Sequence, residues 1–273
     1  DHLDIYKNKE DLHVAFMQFV SQIKQKGVLL VEESIAIDFA VPEAGAKLSY
    51  SASTKADYYA ENIKVKEGKM VFDMIAMEVM PRMISEKKQE DLELILPGIH
   101  NVSNAIAAAA AACYLGLSFE DITQGLSTFE GIKRRFDMHI NSKNLVYVDD
   151  YAHHPKEVSS TINAAKQLFP DREITVIFQP HLFSRTKDFA QDFADSLSLA
   201  NQLILLDIYP ARELPIEGVN AKMLLDLCAN PKKETCSKEE LLKVLAQEEL
   251  DVLLTLGAGD IDTLVEPIKH LLN

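Results

Sequence analysis

The segment DDYAHHP at 149–155 follows directly on the apolar run LVYV at 145–148 and gathers two carboxylates, a phenol and two imidazoles at one strand end. Imidazole can hydrogen-bond a phosphate or carboxylate, and it can move a proton near neutral pH. His153 stands in this segment and His181 ends a second apolar run, EITVIFQPH, so an imidazole cluster forms if the two strands are neighbours. Arg185, four residues after His181, falls at a helix entry on the same loop, where it could clamp an anionic substrate or pair with Asp188. Asp149 and Asp150 are consecutive and must point to opposite sides of an extended chain, so they cannot share one role. One of them, Asp149, is expected to cap the helix starting near Pro155.

Other groups stand apart from this segment. Lys133, Arg134 and Arg135 form a tight basic cluster in an acidic chain, which suits either a solvated linker or a guanidinium fork on phosphate. His100, Asn101 and Asn104 open an alanine-rich helix, with the two asparagines three apart on one face. An asparagine amide offers both donor and acceptor, as a purine edge requires. His2, beside Asp1 and Asp4, is a candidate metal ligand.

These residues need elements to hold them. Leu12, Phe16, Phe19 and Ile23 are at helical spacing over 11–26, and GVLLVEES reads as a short buried strand. KLSYSAS, YYAENIKVKEG and KMVFDMIAM read as antiparallel strands around a turn at Glu67-Gly68. After LELILPG comes the long helix from His100, then a second helix whose Ser118 and Asp121 are set as a capping box. From 144 onward short apolar strands alternate with helices: LVYVDDY, EITVIFQP, QLILLDIY and DVLLTLGAG are the strands. That alternation predicts a doubly wound, mostly parallel α/β sheet, with a domain boundary near 133 separating 1–133 from 134–273. Ligands of such sheets sit outside the carboxyl ends of the strands. Here those ends read DDYAHHP, QPHLFSRT, DIYPARE and LGAGD, rich in charge and imidazole, which favours a ligand site there.

Bulk properties narrow the function. A formal net charge of −14 argues against sequence-independent nucleic-acid binding. The longest apolar stretch, at 105–117, is mostly alanine and shorter than the roughly 18 residues a membrane span needs. Cys113, Cys228 and Cys236 have no C-x-x-C spacing, so a reducing cytosol is the simpler expectation than a disulfide framework or a zinc site. The chain starts on Asp rather than Met, which is expected of a fragment or processed product.

The motifs PGIHNVSNAIAA, FEGIKRRFD, VDDYAHHPKEV, FQPHLFSRTKD and LGAGDI, in this order, resemble the Mur ligases of bacterial peptidoglycan synthesis over essentially the whole chain. The resemblance is strongest to the alanine-adding branch. It implies the latter part of a central α/β ATPase domain followed by a whole C-terminal Rossmann-like domain. It also implies a cytoplasmic bacterial enzyme using ATP and Mg2+ to join L-alanine to UDP-N-acetylmuramate through an acyl phosphate. A homodimer is left open as a further partner. By motif position, His2 resembles a histidine at the second magnesium. His100, Asn101 and Asn104 resemble the adenine-recognition set, and Arg135 an arginine that reaches the ATP phosphates. Asp150 resembles a ribose-binding aspartate, while Tyr151, His153, His181 and Arg185 resemble residues of the acceptor and amino-acid site.

Three departures accompany the resemblance. No G-x-x-x-x-G-K-[ST] phosphate loop occurs in these 273 residues, so the chain by itself is expected not to turn over ATP. Family members usually carry arginine where this chain has Leu182. The region in which sister ligases carry a carbamylated lysine here reads Ala15-Phe16-Met17, as fits the alanine-adding branch. The alternatives are the murein-peptide recycling ligase and a nucleotide-binding regulatory module without catalysis. The FQPH–SRT stretch disfavours the former, and a phosphate loop encoded upstream would disfavour the latter.

Overall fold

The computed structural model describes residues 8–43, 45–66, 68–80 and 83–273. The chain divides into two compact units, Asp1–Glu130 and Gly131–Asn273.

In the first unit the elements are α1 (Lys9–Val20), β1 (Val28–Glu32), β2 (Ala46–Ser51), β3 (Tyr58–Lys66), β4 (Lys69–Met80), β5 (Met83–Leu94), α2 (Ile99–Tyr114) and α3 (Phe119–Ser127). The strands form one sheet in chain order. Sequence patterning predicts three antiparallel strands, but β2 pairs parallel with both β1 and β3, and only β3, β4 and β5 are antiparallel. Alternation reports which face of a strand is buried and says nothing of its direction, which the connections decide. Most of β5 goes unread in the sequence because its run SEKKQED is polar throughout, as an edge strand with exposed Glu86, Lys87, Lys88 and Glu90 allows.

Helix α2 packs on β2 and β3 through Val102, Ala105, Ile106, Ala109 and Ala110, one helical stripe of small side chains that lets the helix lie close to the sheet. Ser118 and Asp121 make the reciprocal capping box that starts α3. Helix α1 ends earlier than its periodicity suggests. Val20 packs with Val31 and Phe39, while Phe16 and Phe19 are 50% and 71% exposed, so the expected apolar face is only partly buried. Of α1 only its last residue, Val20, joins this small cluster, and Phe16 and Phe19 point away from it.

The second unit holds β6 (Asp137–Asn141), β7 (Val146–Asp150), α4 (Pro155–Leu168), β8 (Ile174–Phe178), α5 (Phe183–Asp188), α6 (Ala190–Leu197), β9 (Gln202–Leu206), α7 (Ala221–Leu227), β10 (Lys232–Cys236), α8 (Lys238–Leu245), β11 (Val252–Leu256), a 3-10 turn (Asp260–Leu264) and α9 (Val265–Leu272). The sheet order is β10-β9-β8-β11-β7-β6, parallel except for the antiparallel edge strand β6. Both faces are covered, as a doubly wound sheet requires. Along β11, Val252, Leu254 and Leu256 face one core with α4, α6 and α7, while Leu253 faces the other with α8 and α9. The edge strands β6 and β10 are short and polar, so their sequences lack the apolar run that marks the inner strands.

Candidate functional site

The strand order sends the carboxyl ends of β7, β11, β8 and β9 to one edge of the second unit's sheet. Asp149 and Asp150 end β7 and diverge as their extended backbone demands. Asp149 does not cap α4. It accepts from the Thr255 hydroxyl at 2.8 Å and from Arg134 Nε at 3.1 Å, and it is almost wholly buried. Helix α4 is capped instead by His154 and Glu157, with Pro155 in its first turn. The expected capping role fails because Asp149 sits inside the strand, pairing with Asp137, too far back to reach the helix. Burial pushes the Asp149 carboxyl up, while Thr255 and Arg134 oppose that shift.

Arg134 is a structural latch. Its guanidinium also donates to the Gly257 carbonyl and lies over the Tyr151 ring, 5.1 Å from its centroid. The Tyr151 amide returns a bond to the Arg134 carbonyl at 2.7 Å. The basic cluster therefore splits: Arg134 is committed inside the unit, whereas Lys133 and Arg135 are exposed. Positive φ at Arg134 and Phe136 turns the backbone twice on either side of Arg135. Neither the positive φ nor the Arg134–Asp149 pair has a signature in the sequence.

Asp150 accepts from the Phe136 amide at 2.7 Å and from its own loop at the Ala152 amide, 2.8 Å. Burial pushes its carboxyl up to about 6, against those two amides and the charge of Arg135. Each oxygen keeps one lone pair beyond these bonds, which a hydroxyl donor could use.

Tyr151, His153 and His181 stand in a row, with Tyr151 to His153 at 5.1 Å and His153 to His181 at 6.1 Å between ring centroids. His181 stacks on Tyr209 from the loop after β9, at 5.7 Å. His153 Nδ1 is 3.0 Å from the Tyr151 carbonyl and 3.3 Å from Glu157. Burial lowers His153, with Arg185 and Arg135 adding to it against Tyr151 and Glu157. Burial likewise lowers His181, helped by Arg185 and His153. Both rings are thereby held neutral at pH 7, the form that can accept a proton.

The most informative atoms here are two nitrogens. His181 Nδ1 and Arg185 Nη1 are both buried, and neither has a hydrogen-bond partner among the described residues. A buried cationic N–H without an acceptor is costly, so Arg185 Nη1 suits a carboxylate or phosphate oxygen, with the neutral His181 ring beside it. Leu182 lies between the two residues with φ of 71° and donates its amide to the Tyr209 carbonyl. Its side chain is half-buried where a cation was expected from the resemblance.

The loop after β11 is packed tightly against Gln179 and Tyr209. A Cβ on Gly257, whose φ is +147°, would meet the Gln179 carbonyl oxygen at 2.7 Å, and one on Gly259 would meet Tyr209 Cβ at 2.8 Å. Gln179 fastens the loop by donating to Asp260 at 2.8 Å and accepting from the Ile261 amide at 3.0 Å. Gln179 and Thr255 carry no functional pattern of their own in the sequence, and Tyr209 is marked there by the charged strand end DIYPARE.

The remaining sequence candidates lie in the first unit or outside the described residues. Asn101 donates its amide to the Pro97 carbonyl at 2.7 Å, tying the helix entry to its own loop. Asn104, one turn on, and His100 are exposed at the start of α2. His2 lies outside the described residues. Among the described residues no group of three or more His, Cys, Asp or Glu is placed to hold a metal ion.

Comparison with known proteins agrees with this architecture. The Mur ligase middle domain model matches residues 1–112, and the model described as Mur ligase, glutamate ligase domain matches residues 134–259. The chain is 45% identical over 272 residues to a UDP-N-acetylmuramate–L-alanine ligase of Parabacteroides distasonis, covering 100% of this chain and 57% of the relative. A ligase of the same name from Cytophaga hutchinsonii is 40% identical over 272 residues, covering 99% and 56% respectively. Among solved structures, the UDP-N-acetylmuramate-alanine ligase of Thermotoga maritima superposes with a TM-score of 0.74 at 26% identity, covering 99% of this chain and 57% of that one. The chain thus spans a little over half the length of the curated relatives it matches. With one family model on each of its two units, the chain belongs to the Mur ligase family, carrying the middle domain followed by the C-terminal glutamate ligase domain.

Proposed function

We propose that this chain is part of an ATP-dependent acid–amino-acid ligase that joins L-alanine to the lactyl carboxylate of UDP-N-acetylmuramate in the bacterial cytoplasm. The names of its relatives support that substrate pair. The observation that carries the site is the pair of buried, unpartnered nitrogens on His181 and Arg185 beside Tyr151 and His153. Arg185 holds the amino-acid carboxylate. The neutral rings of His153 and His181 take the proton that the attacking ammonium must lose. As the amine nitrogen bonds to the acyl carbon, the bond from that carbon to the phosphate oxygen breaks and phosphate leaves.

The nucleotide side uses the other residues. Exposed Arg135 neutralises phosphate charge, and Asp150 accepts from the ribose hydroxyls through its spare lone pairs. His100, Asn101 and Asn104 meet the adenine edge. Magnesium, when bound, neutralises charge on the transferring phosphoryl group, and His2 is its proposed ligand. Self-association into a homodimer remains part of the proposal.

The test is steady-state kinetics of the intact ligase that carries this chain. Arg185→Ala and His181→Ala should each lower kcat/KM for L-alanine by about 100-fold or more, the size expected when an oriented charge contact or proton acceptor is lost. Unchanged L-alanine kinetics in both variants would remove these residues from the site. Phosphate release that does not depend on L-alanine would overturn the substrate assignment.

A further inference from the structure

Helix α5 carries Arg185 and has an unusual start. Its N-cap, Leu182, is in the left-handed region and supplies no side-chain cap. The first amides of a helix need acceptors from somewhere. They find them on Glu213, from the loop after β9, whose carboxylate accepts from the Ser184 amide at 2.9 Å, from the Ser184 hydroxyl and from the Phe183 amide. These bonds hold the Glu213 carboxyl below its usual range even though burial opposes the shift. The same loop supplies Tyr209, which stacks on His181, exchanges backbone bonds with Pro180 and Leu182, and pairs with His181 as an isolated bridge. The chain from His181 to Arg185 is therefore fastened at both ends to one loop.

We infer that Glu213 is a positioning residue of the acceptor site: by capping α5 from the neighbouring loop it sets where Arg185 meets the amino-acid carboxylate. The inference rests on the acceptor-site reading above. Glu213 touches no reacting atom and acts through Ser184 and Arg185. A carboxylate meets the helix's exposed amides more strongly than a neutral group does, which explains an acidic residue at this place. Its charge also faces His181 and opposes the effect of Arg185 on that ring.

The experiment is kinetics on the intact ligase with each substrate varied in turn, together with NMR titration of the His181 ring. Glu213→Ala should raise KM for L-alanine by about 10-fold or more, as loss of charged hydrogen bonds implies, and leave KM for ATP and for UDP-N-acetylmuramate within about 3-fold. Glu213→Gln, which keeps a carbonyl acceptor, should recover most of the L-alanine KM. Its lost charge should still lower the His181 titration midpoint. Ser184→Ala removes only the hydroxyl contact and should raise the L-alanine KM by a smaller factor, which keeps the test open if Glu213→Ala fails to fold. Equal changes in all three KM values, or a change in thermal stability alone, would overturn the inference. Arg185→Ala separates the two claims: if it raises the L-alanine KM while the Glu213 and Ser184 variants do not, the positioning role falls and the site stands. If Arg185→Ala is itself silent, the acceptor-site reading falls.

Discussion

His181 owes its chemistry to surroundings that oppose charge on its ring. Burial and the Arg185 guanidinium both disfavour the imidazolium form of His181. Its midpoint should therefore lie below the ordinary value of about 6.5, so the neutral ring is lost only as pH falls through that lowered midpoint. Removing the positive charge in Arg185→Ala should move the midpoint upward, which NMR titration of the His181 ring in this chain would read directly. A midpoint unmoved by that substitution would mean that the guanidinium does not face the ring. Asp150 is shifted the other way for a carboxyl, up to about 6 by burial. Its charged form, which serves the ribose contact proposed above, is present above that pH and lost below it.

Asp73 shows how one buried carboxylate can join three strands of a sheet. It accepts from Asn62 Nδ2 at 2.7 Å, from the Asp91 amide at 3.0 Å and from Lys88 at 2.9 Å. Asn62 and Asp91 both have positive φ and sit at the two places where the β3–β4 and β4–β5 registers shift. Asp73 thus ties two bulges across three strands. Burial would raise its carboxyl, but Asn62, Asp91 and Lys88 outweigh it and hold it at about 2. A depressed folded-state value means the stabilisation is present above the unfolded value of 3.8 and is lost as pH falls from there through about 2. The shift corresponds to about 2 kcal/mol, and Asp73→Ala should cost about 3 kcal/mol because its partners lose their acceptor. Hydrogen exchange of β3, β4 and β5 amides would show the loss confined to these strands. Protection unchanged there would disprove the bulge-tying role.

For the chain as a whole, acidity and length set the expectations. A net charge of −14 leaves anion binding to local cations such as Arg135 and Arg185 rather than to a general field. The chain covers 57% of the Parabacteroides relative and contains no G-x-x-x-x-G-K-[ST] loop. Purified alone, it should show no phosphate release above background with ATP, L-alanine and UDP-N-acetylmuramate together. Measurable alanine-dependent release from the isolated chain would refute this. Among the described residues no helix is long and apolar enough to cross a membrane.

The sequence by itself determined the doubly wound second unit, because buried parallel strands are short apolar runs and their ends announce themselves in charge, as DDYAHHP and QPHLFSRT do. It also placed the capping box at Ser118 and the opening of α2, which are local patterns. The edge strands β6 and β10, most of β5 and the parallel direction of β2 were not legible there, since edge strands are polar and direction depends on distant connections. Only the tertiary structure decided that Asp149 pairs with Arg134 rather than capping α4, and that Glu213 caps a helix whose own N-cap cannot. Partners 15 and 29 residues apart are joined by the packing of loops at strand ends. No periodicity within either segment records that choice.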